Sequence, residues 1–519
     1  MLAHADKNES KQKESFQFTK YLRSPFWRTE HKLAYLTGKP PVSSVPHLRG
    51  SVLSGRLPYL QNESDVLRNL NEACKLAGDA GVCSFWVEGK LIFVIFRPDL
   101  VNQYKLSFYD KHMWHEVPNW GAFPGHSALN LPGRLHNLAI RRAFKKEIGE
   151  PEALKKVERQ VIGICNERIF SYEHLTEFVI EDATHYFRKF ALEIAARLFM
   201  GVDQFDQIDS DALLEYLSAL FVGKKPEDML QVLGLTQPSS GTQLTLYKQQ
   251  AEMTMQTLLF TPHKKKIEAS DNLLHSIWTI VRNMYSDKEI TAEDLFPDTI
   301  FFLGGGIVAS LGDSFPIVLQ LICAHPEVEK TLFAELQEHC PNGKFNEETF
   351  NNLKYLKKVI KEAFRLNPPN PIISAREVQK PFEMAGVKFS PGDNILLSPR
   401  FTHRLTSTWG TSAEEFIPER FSEENEPKIP KGAYIPFGLG GNQCVGNKYA
   451  TLVLTVFLAK LFAKFEVKIE GDHSAFRLEG LTMVPKNKMK ISLTPRARLE
   501  LEEEFSSSPS LRRTSSCYF

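Results

Sequence analysis

Residues 449–465 are apolar apart from Thr451, Thr455, Lys460 and Lys464. A run this long and this apolar is satisfied as a helix buried on most of its circumference, so the rest of the chain must enclose it. Directly before it, residues 437–446 place Gly438, Gly440, Gly441 and Gly446 around a lone Cys444. The cysteine therefore stands at a helix N-terminus. There unpaired N–H groups and the positive dipole end favour a thiolate over a thiol. Glycines without Cβ atoms let a large flat ligand approach the backbone. These are the needs of a cysteine that binds haem iron, and a buried structural cysteine at a glycine-rich turn is the alternative.

Other uses of the loop fail on spacing. No second cysteine lies two to four residues from Cys444, which excludes a zinc site built on a close cysteine pair. A dinucleotide loop would need a third glycine where Gln443 stands. The seven cysteines form no close pairs and leave one over, the pattern of thiols in a reducing compartment. Lys plus Arg total 63 against 62 for Asp plus Glu, so the net charge of +1 gives no case for nucleic acid.

Residues 1–15 are polar with no apolar core, so no signal peptide or N-terminal anchor is read there. The expected setting is intracellular, cytoplasmic or peripheral on an intracellular membrane. Residues 1–15 and 501–519 are expected to be disordered tails. No internal repeat or Gly/Ser-rich linker divides residues 16–500, which read as one domain, mainly α with small β regions.

Residues 63–80 show a helical pattern, and 83–96 read as a hairpin turning at Glu88 and Gly89. A loop rich in aromatics over 108–132 follows without periodicity. Residues 183–200 are helical, with an apolar stripe at Phe187, Phe190, Ala191, Ile194 and Leu198. Across 299–324 Asp313 is the only charge, so hydropathy alone permits a membrane span. Three consecutive glycines (304–306), Gly312, Asp313 and Pro316 argue instead for a long central helix buried in protein and locally distorted. Residues 353–369 are amphipathic, end at Pro368 and Pro369, and place Glu362 and Arg365 one turn apart on one face.

Taken together these segments resemble the cytochrome P450 family over roughly residues 45–495. The loop resembles its haem signature, Phe-x-x-Gly-x-Arg-x-Cys-x-Gly, with Phe437, Gly440, Cys444 and Gly446 in register and Asn442 in place of the usual Arg. Glu362 and Arg365 match its Glu-x-x-Arg helix, and 416–421 supply Arg420 in a Pro-Glu-Arg-Phe segment. The resemblance implies that these three residues form a buried network bracing the cysteine loop. It implies haem b, iron protoporphyrin IX with an axial cysteine thiolate, held between the long central helix and the loop, with Cys444 as the metal ligand. Arg376 stands where the family places a propionate-binding arginine, and either His136 or Arg141 is a second candidate contact. His403 and Arg404 match a frequent His-Arg pair, with a structural role expected for His403. Counting back from His325, the acid and threonine that the family sets beside oxygen near Gly306 fall on Ala309 and Ser310; an alternative offset picks Asp313 and Ser314.

Three functions are compatible with this pattern. The first is a haem-thiolate monooxygenase that oxidises an apolar lipid, sterol or terpenoid-like molecule with oxygen and electrons from an NAD(P)H-dependent reductase or ferredoxin. The second, suggested by the missing acid at Ala309, is an isomerase or lyase that rearranges a fatty-acid hydroperoxide or endoperoxide without a reductase. The third is a non-enzymatic haem or lipid carrier.

Overall fold

The computed structural model describes residues 45–49, 63–87, 90–107, 114–116, 134–222, 250, 253–263, 265, 273–284, 302–378, 381–384, 386–440, 443–471 and 475–496. The tails expected to be disordered lie outside them.

The fold is mainly α. Its principal helices are α1 (Glu63–Ala77), α2 (Pro98–Ser107), α3 (Arg134–Gly149), α4 (Pro151–Glu173), α5 (Ala183–Met200), α6 (Ser210–Val222), α7 (Leu273–Met284), α8 (Ser310–Cys323), α9 (Pro326–His339), α10 (Glu347–Asn352), α11 (Lys354–Leu366) and α12 (Asn447–Lys464). Local chemistry sets several boundaries. Asp182 caps α5 by accepting from the His185 N–H, and Gly201 ends it at φ 66°, a left-handed position that glycine adopts without penalty. Asn346 and Thr349 close a reciprocal capping box at the start of α10.

Helix α12 is the apolar run that follows the cysteine loop, and its residues 452–462 are buried without interruption. It packs against α4, α9 and α11. Its Phe457 meets Phe187 and Phe190 of α5 and Phe315 of α8, with ring centroids 5.6, 4.8 and 5.2 Å away. Each such pair adds roughly 0.5–1.5 kcal/mol beyond area burial, so three helices distant in sequence are fastened at one aromatic point.

Residues 302–323 form one helical column with two geometries. Phe302–Ala309 is π-helical and α8 continues it from Ser310. Gly306–Cys323 has the length and hydropathy of a membrane span, yet 72% of that window is buried within the protein. It is a core helix, as its glycines, proline and lone acid imply.

More sheet is present than the sequence reading anticipated. Strands β1 (His47–Leu48), β2 (Val82–Val87), β3 (Lys90–Ile95), β4 (Trp114–Glu116), β6 (Ile373–Val378) and β9 (Asn394–Leu397) form one sheet in the order β1-β2-β3-β9-β6-β4. The expected hairpin is β2–β3, paired antiparallel from Val82 opposite Ile95 to Val87 opposite Lys90. Strand β4 corrects the reading of 108–132 as a plain loop: its three residues pair with β6, too short a stretch to show periodicity. A second sheet joins β5 (Phe178–Ile180), β10 (Phe465–Glu470) and β13 (Lys490–Pro495), and two hairpins, β7–β8 (Phe382–Met384, Val387–Phe389) and β11–β12 (Phe476–Glu479, Thr482–Pro485), complete the set.

Candidate functional site

Cys444 lies three residues before α12 and is the only exposed thiol among the described residues. Burial pushes Cys74 and Cys340 up to about 11 and Cys165 and Cys323 to about 12, so those four are inert thiols. The Cys444 N–H donates to the Phe437 carbonyl at 2.8 Å, closing the loop on itself. Gly438 and Gly440 turn the chain at φ 70° and 68°, and a Cβ on Gly446, the N-cap of α12, would meet Cys444 Sγ at 3.8 Å. Asn442 lies outside the described residues.

The loop is braced from behind by a polar network. Glu362 and Arg365 on α11 are fully buried and bonded twice, Nε to Oε2 at 2.8 Å and Nη2 to Oε1 at 2.9 Å. Arg420 approaches Glu362 Oε1 at 3.4 Å, and the Ile417 N–H donates to the same oxygen at 2.9 Å. Arg365 also donates to the carbonyls of His403, Ala413 and Glu415. His403 extends the chain of contacts: its Nδ1 lies 3.2 Å from the Arg365 carbonyl and its Nε2 accepts from the Ile435 N–H at 2.8 Å. A ring that donates at one nitrogen and accepts at the other is neutral, and burial accordingly pushes it down to about 3. Ile435 then accepts from the Gly438 N–H at 3.0 Å, and Phe437 sets its ring edge-on to Phe364 at 5.8 Å. The α11 ion pair is thereby linked to the cysteine loop by direct contacts.

On the central helix, Gly306 is exposed and Ala309 and Ser310 are half-buried, at the junction of the π-helical segment with α8. The Ser310 carbonyl accepts from Ser314 Oγ at 2.6 Å. The alternative offset to Asp313 fails on geometry. Asp313 is fully buried and held by Arg188 through Nε–Oδ1 at 2.7 Å and Nη2–Oδ2 at 2.9 Å, with Thr482 Oγ1 donating to Oδ2 at 2.6 Å. Arg188 further pairs with Glu479 at 2.8 Å. This carboxylate is committed to fastening α8 to α5 and to the β11–β12 hairpin. Sequence reasoning missed Arg188, Glu479 and Thr482; the available signal was Asp313 itself, since a lone acid in an apolar run demands a buried cation.

Helix α3 carries His136 and Arg141, and β6 carries Arg376; the side chains of all three lie outside the described residues. The end of α3 is tied to the start of α12, because Lys448 Nζ donates to the Gly149 carbonyl at 2.7 Å. No group of His, Cys, Asp and Glu suited to a bare metal ion occurs among the described residues. The donor chemistry is that of one exposed cysteine over a cradle of glycines, which fits a metal that brings its own equatorial ligands.

A family model described as Cytochrome P450 matches residues 65–493. Among curated proteins, cytochrome P450 CYP13A3 of Caenorhabditis elegans is 31% identical over 212 residues, 40% of this chain and 40% of its own length. CYP13A5 of the same organism is 30% identical over 213 residues, with 40% of each chain covered. CYP13A1 is 32% identical over 183 residues, with 35% of each covered. The chain thus spans well under half the length of the curated relatives it matches.

Proposed function

The chain belongs to the cytochrome P450 family, whose cofactor is haem b with an axial cysteine thiolate, and from that premise we propose that it is a monooxygenase acting on an apolar lipid, sterol or terpenoid-like molecule. The observation that carries the reading is the exposed Cys444 on a glycine loop braced through Ile435 and His403 to Glu362 and Arg365. When bound, a thiolate-ligated haem supplies O–O bond cleavage and oxygen transfer. The chain's own residues supply the rest. Cys444 Sγ would be the ligand, and the α11 network holds the loop in place. Ser310, at the start of α8, is the hydroxyl available for handling a proton, with no acid at 309. Electrons come from an NAD(P)H-dependent reductase or a ferredoxin, at an intracellular site.

A second reading is favoured by one specific observation. The nearest acid on the central helix, Asp313, is bonded twice to Arg188, which suits a rearrangement of a lipid hydroperoxide or endoperoxide that needs neither reductase nor proton relay. The deciding experiment begins with a carbon-monoxide difference spectrum of the reduced protein and of Cys444→Ser. The wild type should show the thiolate-type Soret band and the variant should lose it while keeping its helical content. Substrate screens with and without a reductase then separate the readings: product only with an electron donor supports the monooxygenase, and conversion of a lipid hydroperoxide without one overturns it.

A further inference from the structure

Beside the C-terminal end of α11 the charges do not balance. Three guanidinium groups, Arg365, Arg400 and Arg404, stand there against two carboxylates. Arg365 takes Glu362 through two bonds. Arg404 takes Glu414, at 2.8 Å, and Glu414 is 71% exposed. Arg400 pairs with no carboxylate among the described residues; its side-chain bond goes from Nη1 to Asn367 Oδ1 at 3.1 Å. Helix α1 packs against the 399–402 turn, but its Asp65 is bonded to Arg68 at 2.6 Å. Arg404 Nη2 reaches the same Asn367 oxygen at 3.4 Å, so two cations four residues apart in the chain converge on a single neutral acceptor. Arg404 also donates to the Leu366 carbonyl.

A guanidinium stays protonated at neutral pH. A half-buried one with too little counter-charge is unfavourable, and burial, followed by the neighbouring Arg404, pushes Arg400 down to about 9 against the opposing pull of Glu414. We propose that Arg400 and Arg404, converging on Asn367, form a binding site for a phosphate-type oxyanion, separate from the cysteine loop. The N–H groups of Arg400 Nη1 and Arg404 Nη2 meet at the Asn367 oxygen. A tetrahedral oxyanion can accept them on separate edges, whereas one carboxylate has a single edge to offer. The source is either free phosphate or a phosphate carried on a larger molecule.

Thermal unfolding of the full chain in inorganic phosphate, against sodium chloride at matched ionic strength, tests this. Phosphate should raise Tm by a few degrees, saturating with concentration, because it binds the folded state. Arg400→Gln should lose that rise. If Arg400→Gln does not fold, Asn367→Asp serves: a carboxylate placed between the two arginines should raise Tm without phosphate and abolish the phosphate response. A larger rise with glycerol 3-phosphate assigns the site to a carried phosphate, and an equal or smaller one assigns it to the free ion. An equal effect of chloride, no rise in the wild type, or an Asn367→Asp protein that still responds to phosphate overturns the proposal.

Discussion

Arg188 and Asp313 are 125 residues apart in the chain and meet through two hydrogen bonds of 2.7 and 2.9 Å, with the Asp313 side chain wholly inside the protein. Removing one partner of a buried pair costs about 3–5 kcal/mol because the other charge is left behind. Asp313→Ala should fall at the low end, near 3 kcal/mol, since Arg188 keeps Glu479. Denaturant unfolding reads this loss, and the double variant Arg188→Met with Asp313→Leu should recover most of it. A loss under about 1 kcal/mol for Asp313→Ala would mean that solvent already screens the pair.

The same crossing constrains Gly312. In an open helix interior alanine would be favoured over glycine by roughly 0.5–1 kcal/mol. Here a Cβ would lie 2.8 Å from the Arg188 Cα and 3.1 Å from its backbone nitrogen. The backbone of α5 must move, so Gly312→Ala should destabilise by about 1–3 kcal/mol. Unchanged or higher stability in a denaturant titration would show that the helices have slack at this point.

His403 makes stability depend on pH in a definite direction. Burial lowers it from 6.5 to about 3 in the folded protein, so the folded state binds this proton less readily than the unfolded one. Its contribution is whole above pH 6.5 and is lost as pH falls towards 3, at up to about 1.4 kcal/mol per pH unit. In His403→Asn that slope should be absent. His47, lowered to about 4 by burial and Arg49, is present in both proteins and cancels in the comparison. Parallel stability curves for the two proteins between pH 6.5 and 4 would exclude this role.

Ser310 separates the two proposed chemistries. If oxygen is activated, Ser310→Ala should divert electrons from product to released hydrogen peroxide by a factor of ~10²–10⁴, the usual range for removing a general acid. A rearrangement of a preformed peroxide should proceed at near wild-type rate in the same variant. Product yield per electron consumed, measured with a reductase, distinguishes these outcomes.

What could be read from the sequence was what is local. Cys444 with its glycines, and Glu362 with Arg365 one turn later, declare themselves because spacing along a loop or helix fixes their geometry directly. Arg188 could not be assigned to Asp313 in that way, since their pairing depends on how α5 crosses α8. Strand β10 was legible but passed over: Phe465, Val467 and Ile469 alternate with Glu466, Lys468 and Glu470, directly after a helix whose apolar run absorbed the first of them. The π-helical geometry of Phe302–Ala309 left only its glycines as a trace, because residue type signals a weak helix but not how wide its turns are.

That wide turn sets how the central column tolerates a change in length. A π turn holds more residues per revolution than an α turn, so it behaves as an α-helix into which residues have been inserted. Loss of one of the glycines at 304–306 can be taken up where it occurs, by tightening towards the i to i−4 ladder, and α8 keeps its phase. Loss of one residue between Ser310 and Asp313 has no such buffer, because each α-helical residue turns the column by about 100°. Either Asp313 would swing away from Arg188, or the stretch between the deletion and the π-helical segment would face a different wall of the protein. The column is therefore elastic to insertion and deletion on the side of Gly306 and rigid on the side of Asp313.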